Sequence, residues 1–142
     1  MTDINIIKEH FPNNIVEAGK LDASFNILEV LSFMKNCPEL SFDMLVTIIA
    51  VDYIHYTELI YCLLSTHLNE SIKISVKTQK EAKSVTSIYK SAYFDECEIY
   101  DLFGIKFSEN PNLKRLLMPK SWVGHPLKKD YVLNDERLKW NE

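Results

Sequence analysis

Apolar residues recur along this chain with two periods. Ile27, Val30, Leu31 and Met34 fall three or four residues apart, which puts them on one face of a helix. Asn26-x-x-Glu29 forms a capping-box pattern at its start, and Pro38 stops it. Farther on, Ile72, Ile74 and Val76 alternate with Lys73, Ser75 and Lys77, and period two predicts a half-buried strand. Met44–Val51 is a continuous, mostly β-branched apolar run and predicts a strand buried on both faces. Thr57–Ser65 is another apolar strand. Short polar connections, Ile54–Tyr56 and His67–Glu70, join the three. Strands linked this tightly form an antiparallel meander.

The flanking signals are shorter. Thr2 or Asp3 can cap a helix carrying Ile4, Ile7 and Phe11, ended by Pro12. Ile15–Ala18 and Ser24–Ile27 read as short strands. Ala82, Val85, Ile88, Tyr89 and Ala92 share one helical face. Ser91 can cap a second helix, Ala92 to Phe103, with Gly104 at its left-handed end. Beyond Ile105 the chain is punctuated by Pro111, Pro119, Gly124 and Pro126 and reads as irregular. The expectation is a two-layer α+β fold: a meander packed by helices, then an extended C-terminal loop segment. One domain, 1–142, divides into a core (1–107) and an irregular docking tail (108–142). Val46, Ile48, Leu59, Ile74 and Val85 are expected to share one core.

Composition narrows the function. The 142 residues carry a formal net charge of −4, which argues against nucleic acid as the partner. The charge is uneven. Asp95, Glu96, Glu98 and Asp101 cluster, and Lys114, Arg115, Lys120, Lys128 and Lys129 follow. A charge run is usually a solvated face, yet this asymmetry points to a charged docking surface near the C-terminus. Cys37, Cys62 and Cys97 are far apart, with no CxxC spacing for zinc or an iron–sulfur cluster. Free cysteines suit a reducing cytoplasm. The N-terminus lacks a basic region followed by an apolar stretch, so no signal peptide is expected. Met44–Val51 is too short to span a membrane, which takes about 20 residues.

Candidate chemistry is sparse. Cys97 lies between Glu96 and Glu98, a poor setting for a reactive thiolate. His10, His55, His67 and His125 form no i, i+3 or i+4 pair. Three glycines build no phosphate-binding loop. Glu96 with Asp101, or Glu98 with Asp101, could pair as general acid and base. The simpler reading is salt bridging to the basic segment downstream.

One stretch is dense and specific: Asp95-Glu96-Cys97-Glu98-Ile99-Tyr100-Asp101-Leu102-Phe103-Gly104-Ile105, then Leu113-Lys114-Arg115-Leu116-Leu117-Met118-Pro119, then Trp122-Val123-Gly124-His125-Pro126-Leu127-Lys128-Lys129-Asp130-Tyr131. Irregular backbone of this kind cannot satisfy its own polar groups; it is ordered best against another protein, the alternative being a tail that wraps its own domain. With Ala50-Val51-Asp52-Tyr53 and Ser84-Val85, the stretch resembles the signature of the thirty-kilodalton (C-type) subunit of complex I-type NADH:quinone oxidoreductases. The resemblance is strong from about Phe42 to Leu133. Cys97 stands where the family has the arginine of an E-R-E box, Tyr100 where it has tryptophan, and Lys128 where it has arginine. An arginine makes bidentate ion pairs that a cysteine cannot.

The resemblance implies a mixed sheet and a cofactor-free subunit of the peripheral arm, on the cytoplasmic side of the membrane and attached only through the complex. FMN, iron–sulfur clusters and quinone would belong to partner subunits. The implied partners are the large (D-type) quinone-site subunit, the terminal iron–sulfur subunit and other peripheral-arm subunits. The interface residues expected are Glu96, Glu98, Asp101, Arg115, Trp122, Gly124, His125, Pro126, Lys128, Lys129, Asp130 and Tyr131. The alternative is the homologous small subunit of an energy-converting hydrogenase or formate hydrogenlyase. The short chain leans toward that reading, and the intact Trp122–Leu127 block toward complex I.

Overall fold

A computed structural model describes residues 2–132. The expected tail beyond 132 lies outside the described residues. Helix α1 spans Thr2–His10, and a short antiparallel pair, β1 (Val16–Glu17) and β2 (Lys20–Asp22), follows. Helix α2 runs Ile27–Asn36 and buries the expected face, Ile27, Val30, Leu31 and Met34. The meander is β3 (Met44–Asp52), β4 (Thr57–Ser65) and β5 (Glu70–Thr78), paired antiparallel throughout. Strand β2 joins β5 in parallel, giving a mixed five-stranded sheet of order β1-β2-β5-β4-β3.

The apolar run of β3 buries one face, not two. Leu45 and Ile48 are buried, but Val46 is 56% exposed, as are Met44 and Ile49 by nearly half. The ladder passes from Leu45↔Leu63 to Thr47↔Cys62, so Val46 is the extra residue of a β-bulge. The bulge shifts the alternation and removes Val46 from the expected core. Ile48, Leu59, Ile74 and Val85 do belong to it.

Three other expectations give way to side-chain bonding. Ser24–Ile27 is no strand: the Asp22 carboxylate accepts the Ser24 N–H at 2.8 Å and turns the chain there. Asn26 precedes α2 but makes no capping bond, because its amide pairs with Asn14 at 2.8 and 3.1 Å. Ala82 to Ala92 is not one helix. Strand β6 (Glu81–Lys83) pairs in parallel with β7 (Lys106–Ser108), and only one helical turn, closed by Tyr89 N–H to Val85 O at 2.9 Å, precedes α3. Helix α3 itself spans Ala92–Phe103 as expected, and Gly104 ends it at φ +74°.

Helix α3 also lies along β3, the edge of the sheet. Ser91 donates its hydroxyl to Leu45 O at 3.2 Å, and the Asp95 carboxylate faces the Ile48 N–H. Burial raises the Asp95 pKa against the pull of that N–H, and the nearby Glu98 charge adds to the rise. Among the described residues, no helix is long and apolar enough to cross a membrane.

Candidate docking site

The C-terminal segment is irregular, but it is tied down. Asp101, near the end of α3, is fully buried. One of its oxygens accepts Arg115 Nη1 at 3.1 Å. The other accepts the backbone N–H groups of Leu116, Leu117 and Met118 at 3.2, 2.7 and 2.9 Å. Burial alone would raise its pKa, but these N–H groups and the guanidinium outweigh it and hold the carboxyl below the ordinary aspartate value. Arg115 carries the connection onward, donating Nη2 to Gly124 O at 2.9 Å.

The next turn of the segment packs on the end of α3. His125 Nδ1 lies 2.9 Å from Asp101 O, and Leu127 N–H reaches Leu102 O at 3.0 Å. The His125 ring covers Gly104 so closely that a Cβ there would stand 2.6 Å from it. Gly104 thus answers two demands, a left-handed φ and a ring against its face. At the far end, Lys129 N–H donates to Asp52 Oδ2 at 2.9 Å, while Asp52 Oδ1 accepts Ile54 N–H at 2.9 Å. The Lys129 N–H, ahead of an opposing burial effect, lowers the Asp52 pKa.

The backbone groups expected to need outside partners therefore find several of them within the chain. The segment turns several apolar side chains outward: Leu117 is 65% exposed and Val123 and Leu127 each 52%, with Lys120 and Ser121 exposed between them. Glu98, Lys129 and Asp130 are exposed, and Trp122, Gly124, His125, Pro126, Lys128 and Tyr131 are half-buried. The indole Nε1 of Trp122 is buried with no acceptor among the described residues.

Two of the expected surface residues lie inside. Asp101 is the anchor just described. Glu96 is equally buried, and it binds Ser84 Oγ at 2.8 Å, Val85 N–H at 2.7 Å and Asn110 Nδ2 at 2.7 Å. It clips β6 and the loop after β7 to α3. Burial raises its pKa, with those three donors opposing. Glu96 and Asp101 are thus pushed in opposite directions, but neither side chain reaches solvent. Glu98 points outward, and the Asp101–Arg115 pair realises the expected salt bridge to the basic segment. Cys97, in the arginine position, is buried with Sγ 3.7 Å from Asn112 O.

Sequence reading missed Gly104 as a seat for His125 and Asp52 as the far anchor. Asp52 lay within a quoted block, but nothing local reveals a bond to a residue 77 positions away.

Residues 23–137 match the family model described as "Respiratory-chain NADH dehydrogenase, 30 Kd subunit". The NADH-quinone oxidoreductase C subunit of Parvibaculum lavamentivorans is 38% identical over 122 residues, covering 82% of this chain and 61% of that protein. The C subunit of Citrifermentans bemidjiense is 36% identical over 140 residues, covering 89% and 86%. The NADH-quinone oxidoreductase C/D subunit of Chromohalobacter salexigens is 39% identical over 118 residues, covering 74% of this chain and 20% of that protein. Among solved structures, a chain of the membrane-bound sulfane sulfur reductase, an archaeal respiratory membrane complex, aligns with TM-score 0.71 and 22% identity over 94% of this chain and 85% of that one. That likeness is one of fold. By its sequence over residues 23–137 and its kinship along nearly the whole Citrifermentans protein, the chain belongs to the family of the 30 Kd subunit of respiratory-chain NADH dehydrogenase.

Proposed function

We propose that this chain is a cofactor-free structural subunit of the peripheral arm of a proton-translocating NADH:quinone oxidoreductase, docking through residues 115–131 onto the large quinone-site subunit. The observation that carries the reading is the Asp101 anchor. It fixes an irregular segment from within and leaves Leu117, Val123 and Leu127 in solvent. A segment held rigid before binding loses little entropy on binding, and exposed apolar side chains beside Lys129 and Asp130 suit an interface of apolar centre and polar rim. The Chromohalobacter protein supports the choice of partner, since its name joins the C and D subunits in one protein.

The half-buried Trp122 is a poor probe, because truncating it would disturb the segment's own packing. Leu117→Asp is better: the side chain is 65% exposed, while the backbone N–H that binds Asp101 is retained. The isolated variant should melt like the wild type and fail to enter the complex purified from membranes. Normal incorporation of a folded Leu117→Asp chain would refute the proposal.

A further inference from the structure

The sheet has two faces, and among the described residues only one is covered. Register sets Ile48 beside Tyr61 and Ile74 on the face that carries the core. The opposite face sets Thr47 beside Cys62 and Lys73, and Ile49 beside Ile60 and Ser75. Its β3–β4 half is apolar. Met44, Val46 and Ile49 are 46%, 56% and 44% exposed, with Ile60, Cys62 and Leu64 half-buried next to them. With side chains this open, no element among the described residues covers the face. A contiguous apolar patch on a strand surface marks an interaction site rather than ordinary scatter.

We infer that this half-face is a second docking surface, separate from the C-terminal segment, and that its occupant is an apolar surface with an acidic margin on another subunit of the complex. The inference rests on the assembly reading above. The margin decides the occupant's charge. Along β5 the apolar half gives way to Lys73 and Lys77. Lys77 pairs with Glu17 at 3.6 Å, whereas Lys73 has no carboxylate partner among the described residues. The acids of this face are already engaged. Glu58 holds Lys20 and Ser75, and Asp22 holds Ser24. A second copy packed through the same face would therefore bring only engaged carboxylates to Lys73, and a different, acidic partner would bring free ones.

Cys62 reports on the face directly, and per-cysteine maleimide labelling read by mass spectrometry follows it without any mutation. Cys62 should label in the isolated full chain and lose that labelling in the assembled complex. Ile49→Lys and Met44→Lys, each on an exposed position, should leave the melting temperature unchanged and weaken incorporation about tenfold or more, the effect of ~1.4 kcal/mol. Lys73→Glu should weaken it too. If the chain is incorporated and Cys62 still labels as in isolation, the sheet-face inference is wrong and the assembly reading stands. If the wild-type chain enters no complex, both fall. Concentration-dependent protection of Cys62 in the isolated chain would assign the face to a second copy. Protection relieved by removing residues 133–142 would assign it to the chain's own end. Either result overturns the acidic partner.

Discussion

Asp101 shows how one side chain can organise a length of irregular backbone. Its carboxylate meets a guanidinium and three consecutive N–H groups in a site closed to water. Asp101→Asn keeps the shape but strands the Arg115 charge and turns an amide donor toward backbone donors. Breaking a buried pair from one side costs roughly 3–5 kcal/mol, and urea unfolding of the isolated chain should show a loss of that order. The pH dependence has a definite sign. The folded pKa of Asp101 is lowered, so its stabilisation is complete above the ordinary aspartate value and disappears as pH falls through the lowered one. Glu96 is raised, so its contribution is complete below the ordinary glutamate value and is lost as pH rises through the raised one. Glu96→Gln should therefore flatten the decline of stability above about pH 4.3. An unchanged slope would place the titration elsewhere. These roles were only half legible. The acidic cluster and its basic neighbour stand out in sequence, but which carboxylates turn inward depends on the phase of α3 against the sheet.

Among the elements, the strands and helices with strong periodicity were readable. Helix α2, the three-strand meander and α3 from Ala92 to Phe103 follow from spacing, polar turns and a terminal glycine. Strands β6 and β7 were not readable, because three-residue strands such as Glu-Ala-Lys carry little intrinsic preference and exist by pairing with each other. The bulge was equally silent, since inserting Val46 leaves the apolar run looking continuous. It makes a sharp comparison: Ile48→Ala should cost roughly 2–5 kcal/mol and Val46→Ala under about 0.5 kcal/mol, by equilibrium unfolding. Similar losses at both would disprove the bulge. The β3–β4 turn holds Ile54 at φ +74°, a left-handed conformation that β-branched residues avoid. Ile54→Gly should raise stability by about 1 kcal/mol through relief of that strain. A lower melting temperature would show that the turn is not strained.

For the whole molecule, the C-terminal segment meets the sheet where the Lys129 N–H binds Asp52, on the core-facing side of β3. Lys128 and Lys129 add positive charge there to a chain of net charge −4. Replacing both with glutamine should slow association with the partner and reduce its sensitivity to salt. Unaltered association kinetics would mean that apolar contact alone drives docking. On the proposed assembly, a protein with so much strand surface uncovered among its described residues must also survive before its partners arrive. Strand β3 is nine residues long, apolar on its open face, and lies at the sheet's border. Left bare, its backbone would be a template on which further chains could polymerise. Ser91 occupies that template at Leu45, and the bulge at Val46 breaks its regular spacing. The unassembled subunit thereby keeps a sticky face without offering a growing end to fibrils.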